Sequence, residues 1–249
     1  MSYTKIIQSG SLIEVFTYEK APVTRKQRTR PLFESYWSRL AAERRNSRKR
    51  RRLGANLHRT RQRFLRIVRA NLHGKAAPSL LTLTMLDIVG IAEANKRFAA
   101  FRARYFAALG REVVYVCVPE FQKRGAVHFH VLVWGLTDDE IKNEKDTRRI
   151  QGLWGWGYVD ILKTDGSAKL GGYLAKYMSK AMFDDRLAGK KAYSVSRNAL
   201  RPLSVATSLA VDTFNQEWGL KGSVDNRLTR QHSFGTLWLG RCDYQRYEI

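Results

Sequence analysis

Apolar positions along the chain repeat in two rhythms, one near every second residue and one near every third or fourth, which separates strands from helices. Thr4 to Gln8 and Leu12 to Tyr18 read as strands around Ser9-Gly10-Ser11, a hairpin. From Phe33 to Leu72 the rhythm is helical, through Phe33, Tyr36, Trp37 and Leu40, then Leu57, Phe64, Leu65, Val68 and Leu72; Gly54 is expected to break it into two helices. Residues 79–87 read as a strand, and residues 90–109 as a helix with Ile91, Ala94, Phe98, Phe101, Tyr105 and Leu109 on one face and Gly110 closing it. Residues 112–121 form the next strand, Gln122-Lys123-Arg124-Gly125 a turn, and Ala126 to Trp134 a returning strand, so a second hairpin is expected. Pro119 places an edge or a bulge near the end of its first strand.

Beyond that hairpin, residues 137–151 look helical with Thr137 as N-cap ahead of Asp138-Asp139-Glu140. Leu153 to Gly157 reads as a turn, Tyr158 to Lys163 as a short strand, and Ser167 as the cap of a helix from Ala168 to about Phe183. Val205 to Trp218 suggests a last helix. The tail from Gly219 has weak strand signals at Gly235 to Leu239 and no placement.

Charge changes this picture. The formal net charge is +23, and residues 20–75 hold 19 Lys and Arg against Glu34 and Glu43, a net of +17. The densest run is Arg48-Lys49-Arg50-Arg51-Arg52. Like charges at helical spacing destabilise a helix unless an anion neutralises them, so this arm reads as a nucleic-acid contact. The segment 190–202, with Lys190, Lys191 and Arg197, adds further basic contacts. No run of about 18 apolar residues marks a membrane span, and Met1 to Ile7 has no signal-peptide core. Cys117 and Cys242 are expected as free thiols in a reducing cytoplasm.

The candidate chemistry begins at His128-Phe129-His130, inside the apolar run Ala126 to Trp134. Side chains alternate faces along a strand, so both imidazoles point the same way, about 7 Å apart at the backbone. Glu120 precedes His128 by eight residues across the turn and folds back beside the pair. Two imidazoles and one carboxylate suit Mn²⁺ or Mg²⁺ acting on phosphate, or Zn²⁺ acting on water. Tyr173 and Tyr177 stand four residues apart in a helical segment, which puts both phenols on one face, and each is followed at i+3 by a lysine, Lys176 and Lys180. A phenol needs activation to attack at neutral pH, and a nearby ammonium or metal ion favours the phenolate.

Leu81-Thr82-Leu83-Thr84, His128-Phe129-His130 and Tyr173-x-x-Lys176-Tyr177-x-x-Lys180, in that order, resemble the three motifs of HUH endonucleases that initiate rolling-circle replication. The likeness is nearest to initiators of small single-stranded DNA phages, the gene-A type of microviruses and the gene II type of filamentous phages, and covers roughly residues 76–205. It implies an α+β fold, a central antiparallel sheet flanked by helices, to which the charge and rhythm of the first 75 residues add a basic helical N-terminal extension. The chain is then expected to divide into an N-terminal hairpin and basic helical arm (1–75), a nicking domain (76–219) and a tail (220–249). The resemblance makes His128, His130 and Glu120 ligands of a divalent Mn²⁺ or Mg²⁺, Tyr173 and Tyr177 nucleophiles that leave a 5′-phosphotyrosine and a free 3′-OH, and Lys176 and Lys180 their charged helpers. Thr82 and Thr84 would line the sheet beneath single-stranded DNA at a replication origin. No phosphate-loop motif of a fused helicase occurs, so host helicase and polymerase are the implied partners.

Three other readings stand beside it. One is a relaxase or transposase of the same fold. Another is a zinc hydrolase, which leaves the tyrosines and the charge without a role. The last is a non-catalytic single-strand-binding protein that stacks bases on Trp154 and Trp156.

Overall fold

The computed structural model describes residues 2–22, 40–72, 76–141, 144–167, 169–182, 184–187, 190–206, 211–212, 228–236 and 239–248, with side chains from residue 56 in the helix that starts at 40 and from residue 147 in the one that starts at 144. In chain order the elements are strands Tyr3–Ser9 (β1) and Leu12–Tyr18 (β2), helix Leu40–Leu72 (α1), strand Ser79–Met85 (β3), helix Ile91–Leu109 (α2), strands Val114–Phe121 (β4) and Val127–Trp134 (β5), helix Glu144–Trp154 (α3), strand Gly157–Lys163 (β6), helix Lys169–Met182 (α4), and strands Ser194–Val195 (β7), Leu203–Val205 (β8), Leu228–Thr236 (β9) and Gly240–Glu248 (β10). The fold is α+β, with two antiparallel five-stranded sheets ordered β8-β1-β2-β10-β9 and β6-β3-β5-β4-β7. The chain divides into two compact units, Met1–Asn56 with Arg201–Ile249, and Leu57–Leu200.

In the unit Leu57–Leu200, the odd-numbered apolar residues of β3 and β5, such as Leu81, Leu83, Phe129 and Val131, form one core with α2 and α3. Phe98 of α2 stacks on Phe129 at 4.9 Å between ring centroids. The opposite face puts Leu80, Val116, Val118 and Leu132 against Leu174 and Met178 of α4 and Phe64 and Val68 of α1. The result is three layers, with the sheet buried between two pairs of helices. Alternation alone sorts the strand residues to the two faces. Gly110 ends α2 in the left-handed region at φ 67°, as expected from its position.

Pro119 sits in regular pairing, opposite Phe129. Gln122 N–H donates to Ala126 O across the hairpin, so the even positions of β4 donate toward β5 and the odd ones toward β7. β7 follows β4 only at Val116 and Cys117. The donor that proline lacks therefore falls where the ladder has already ended.

Three expectations differ from the structure, and the unplaced tail takes a defined position. Gly54 lies inside one continuous 33-residue helix; a lone glycine costs about 1 kcal/mol in a helix but leaves its hydrogen-bond ladder intact, so it does not end one. The helix expected over 137–151 is a 3-10 turn at Asp138–Glu140 followed by α3. Glu140 is drawn off by Arg111, at 2.7 Å, as well as by the Thr137 N–H at 2.9 Å, and Ile141 leaves helical geometry at φ −141°. Val205 ends a strand, β8, paired with β1; most of the helix expected after it lies outside the described residues. The tail forms a hairpin, β9 and β10, and β10 pairs with β2 from Cys242↔Tyr18 to Glu248↔Leu12. In that unit Ile6, Ile13 and Tyr247 form a small core with Val211. Among the described residues no helix is long and apolar enough to cross a membrane.

Candidate active site

The register of the second sheet assembles the polar row. Glu120 of β4 lies opposite His128 of β5, and Val118 opposite His130. On the other side of β5, Thr84 of β3 lies opposite His128 and Thr82 opposite His130. Residues directly opposite share a face, so both histidines, Glu120 and both threonines project to the side on which α4 packs. At the Leu80 and Val116 end that side is filled with apolar residues; at the Thr84 and Glu120 end it is polar.

Two glycines set this geometry. Gly157 starts β6 at φ 149°, where a Cβ would stand 2.2 Å from Thr84 O, so only glycine lets β6 close on β3 there. Gly171 lets α4 lie on α1: a Cβ would be 3.2 Å from Leu65 Cδ2 and 3.4 Å from Val68 Cγ1. With α4 held in that way, Leu174 and Met178 point inward, and Tyr173 and Tyr177 reach toward the polar row.

The Tyr177 ring stacks on the His130 imidazole at 3.8 Å and 23°. Its hydroxyl lies 2.8 Å from that of Tyr173, a direct phenol–phenol hydrogen bond. Tyr173 is the outer of the two, 42% exposed. His130 Nε2 is 2.9 Å from Glu120 Oε2, and Lys180 Nζ donates to Glu120 Oε1. The structure thus brings together Glu120, His128, His130, Tyr173, Tyr177 and Lys180. Lys176 points outward and makes no hydrogen bond or ion pair among the described residues. Lys190, Lys191 and Arg197 are exposed, Arg197 at the Val114 end of β4, away from Glu120. The side chains of Arg48 to Arg52 lie outside the described residues.

Burial alone would raise the Glu120 carboxyl, but hydrogen bonds from Lys180 and His130 hold it below the usual carboxylate value. Burial lowers both histidines, His128 further through the neighbouring His130 charge, while Glu120 partly restores His130. Both are therefore neutral imidazoles near pH 7. A carboxylate only accepts, so His130 Nε2 carries the proton facing Glu120 and Nδ1 keeps a bare lone pair. His130 Nδ1 and His128 Nε2 are both buried without a hydrogen-bond partner among the described residues. Tyr177 is pushed up to about 12, first by its hydrogen bond with Tyr173 and then by burial.

The donor set fits a divalent cation in kind, with two neutral imidazoles, two orphaned ring nitrogens and an ionised carboxylate on adjacent strands. The side chains do not stand converged for one. Among the described residues no three His, Cys, Asp or Glu side chains form a ligand cluster, because Glu120 is closed onto Lys180 and His130.

Trp154 corrects the stacking alternative. It is fully buried, with Nε1–H donating to Thr84 O at 3.0 Å, and offers no ring face to a base. Trp156 is half-buried, with the Arg104 guanidinium 4.6 Å from its ring. The sequence reading also missed Tyr158 and Asp160, which continue the polar rows onto β6 opposite Thr84 and Thr82. Their even spacing with Leu162 along the strand expected at Tyr158 to Lys163 was the available signal.

Residues 78–182 match the family described as Replication-associated protein ORF2/gene 2 protein. The matched stretch runs from the start of β3 to the end of α4, so it contains every residue of the assembled site. It agrees with the motif resemblance and is consistent with a rolling-circle replication initiator. No curated protein and no solved structure matches the chain.

Proposed function

We propose that the chain nicks and rejoins single-stranded DNA at a replication origin through a 5′-phosphotyrosine intermediate. The observation that carries this reading is the pair of phenols, hydrogen-bonded at 2.8 Å, with one ring stacked on His130 beside Glu120. A zinc hydrolase or a plain DNA-binding protein has no use for two such hydroxyls at the end of a histidine–carboxylate row.

In the proposed step a tyrosine Oη forms a bond to phosphorus as the bond to the 3′-oxygen breaks. The phenol proton leaves to solvent, and the 3′-oxygen takes one up as the free 3′-OH that primes synthesis. The high proton affinity of Tyr177 means that the hydrogen-bonded pair is not activated as it stands. Positive charge must reach the phenols, and Lys180, now on Glu120, is the near source within the chain. His128, His130 and Glu120 would hold Mn²⁺ or Mg²⁺, which supplies charge to the scissile phosphate. Thr82 and Thr84 lie in the same rows and would support the strand. The phosphotyrosine conserves the energy of the phosphodiester for rejoining. Host helicase and polymerase would take over at the 3′-OH.

The test is cleavage of circular single-stranded DNA with Mn²⁺ and with chelator. Wild type should nick only with metal, and Tyr173→Phe with Tyr177→Phe should nick not at all. Unchanged cutting by the double variant would refute the nucleophile assignment.

A further inference from the structure

We infer that β6 carries a base-reading subsite beside the nicking site, which stacks one nucleobase on Tyr158 and selects an exocyclic amino group through Asp160. This deepens the nicking proposal and rests on it for the presence of a DNA strand at the site.

β6 is the edge strand of its sheet, and Tyr158 and Asp160 lie opposite Thr84 and Thr82. Thr84 and Thr82 lie in turn opposite His128 and His130. Tyr158 therefore stands in the same transverse row as His128, two strand spacings or roughly 10 Å away. A strand whose phosphate sits over the histidines and tyrosines would lay a neighbouring nucleotide on β6.

The chemistry of this edge suits a base and not a phosphate. Tyr158 is 60% exposed, and the adjoining end of the sheet carries Leu86 and Ile88, 53% and 69% exposed. Arg124 anchors that rim by donating to Leu86 O at 2.8 Å and to Met85 O. Large apolar side chains gathered at the edge of a polar site mark a contact surface, and an aromatic ring on such a surface stacks bases of any sequence. Asp160 is the discriminating group. In a chain of net charge +23 it is an exposed carboxylate on the face proposed to receive DNA. It makes no ion pair or side-chain hydrogen bond among the described residues. A carboxylate repels phosphate but accepts hydrogen bonds from base amines, cytosine N4 above all; thymine presents only an acceptor at that position. The subsite therefore favours cytosine over thymine.

The probes are fluorescein-labelled dC12 and dT12, titrated with the full chain in chelator at one fixed salt concentration and read by anisotropy. Wild type should bind dC12 at least about fivefold more tightly than dT12, the low end of what one specific base contact gives. Asp160→Ala should bring the two within about twofold, chiefly by weakening dC12. Tyr158→Ala should weaken both alike by about fivefold or more, and Tyr158→Phe should restore binding. Circular dichroism of each variant verifies the fold, which exposed positions should not disturb. Equal binding of dC12 and dT12 by wild type, an intact preference in Asp160→Ala, or unchanged affinity in Tyr158→Ala overturns the subsite. If wild type still nicks single-stranded DNA in those cases, the nicking proposal survives; if it neither binds these oligonucleotides nor nicks, both fall.

Discussion

Each of the two tyrosines is followed by a lysine three residues on, yet they are not equivalent. Tyr177 is stacked on His130 and half-buried, whereas Tyr173 is outermost and reaches the site through the Tyr177 hydroxyl. Lys180 is engaged with Glu120, and Lys176 is turned outward. In single-round nicking of a short oligonucleotide, Tyr177→Phe should therefore lose more activity than Tyr173→Phe, with measurable cutting left in each. Equal losses would mean that the stacking does not matter to the chemistry. At the histidines, His128→Ala with His130→Ala should abolish Mn²⁺-dependent cutting while circular dichroism shows the chain still folded, at some cost in melting temperature because the His130 contacts to Glu120 and Tyr177 are lost. Full activity of that variant in chelator would remove the metal from the account. The members of this site were legible in the sequence because strand alternation and helix periodicity fix which residues share a face. The order of the tyrosines was not, because it depends on how α4 packs on the sheet and on α1, where Gly171 lies close to Leu65 and Val68.

At the scale of elements, the strands and helices that carry the site follow their hydrophobic rhythm closely, and the hairpin β4–β5 has the register that its turn implies. The misreadings occurred where a local signal met a tertiary partner. Thr137 looked like the cap of a long helix, but Arg111 takes hold of Glu140 and the helix restarts later. Asn71 gave no signal at all. It is fully buried, its Nδ2 donates to Ile67 O at 2.9 Å and Leu200 O at 3.0 Å, and its Oδ1 accepts from Leu200 N at 2.9 Å. This clamps the end of α1 to the segment after β7, 129 residues away in the chain. Asn71→Ala should destabilise the protein by about 1–3 kcal/mol, since it leaves Leu200 groups unpaired. Urea denaturation measures this, and a midpoint equal to that of wild type would show that the clamp contributes nothing.

For the whole molecule, charge and topology tell different stories. The excess of basic residues in 20–75 was plain from composition. The joining of the tail to the N-terminal hairpin through β10 and β2 was not, because pairing between residues 12–18 and 242–248 leaves no periodic trace. The basic run lies in α1, and its expected partner is the phosphate backbone, read without regard to sequence. Replacing Arg48, Lys49, Arg50, Arg51 and Arg52 with Gln keeps helix propensity and removes charge. The log–log salt slope for single-stranded DNA should flatten by about 0.7 for each phosphate that is no longer neutralised. A slope equal to that of wild type would assign the run to another partner.

We propose further that both tyrosines, brought to one site by α4, take DNA in turn. A strand-transfer cycle needs one phenol to hold the first 5′ end while the other attacks the regenerated origin. The most direct measurement is peptide mapping of the covalent protein–DNA adduct, trapped with Mn²⁺ on single-stranded origin DNA through more than one round. Adducts are expected on the peptides of both Tyr173 and Tyr177, with either one still formed when the other is Phe. Adducts confined to one tyrosine, with full multi-round activity when the other is Phe, would contradict the claim.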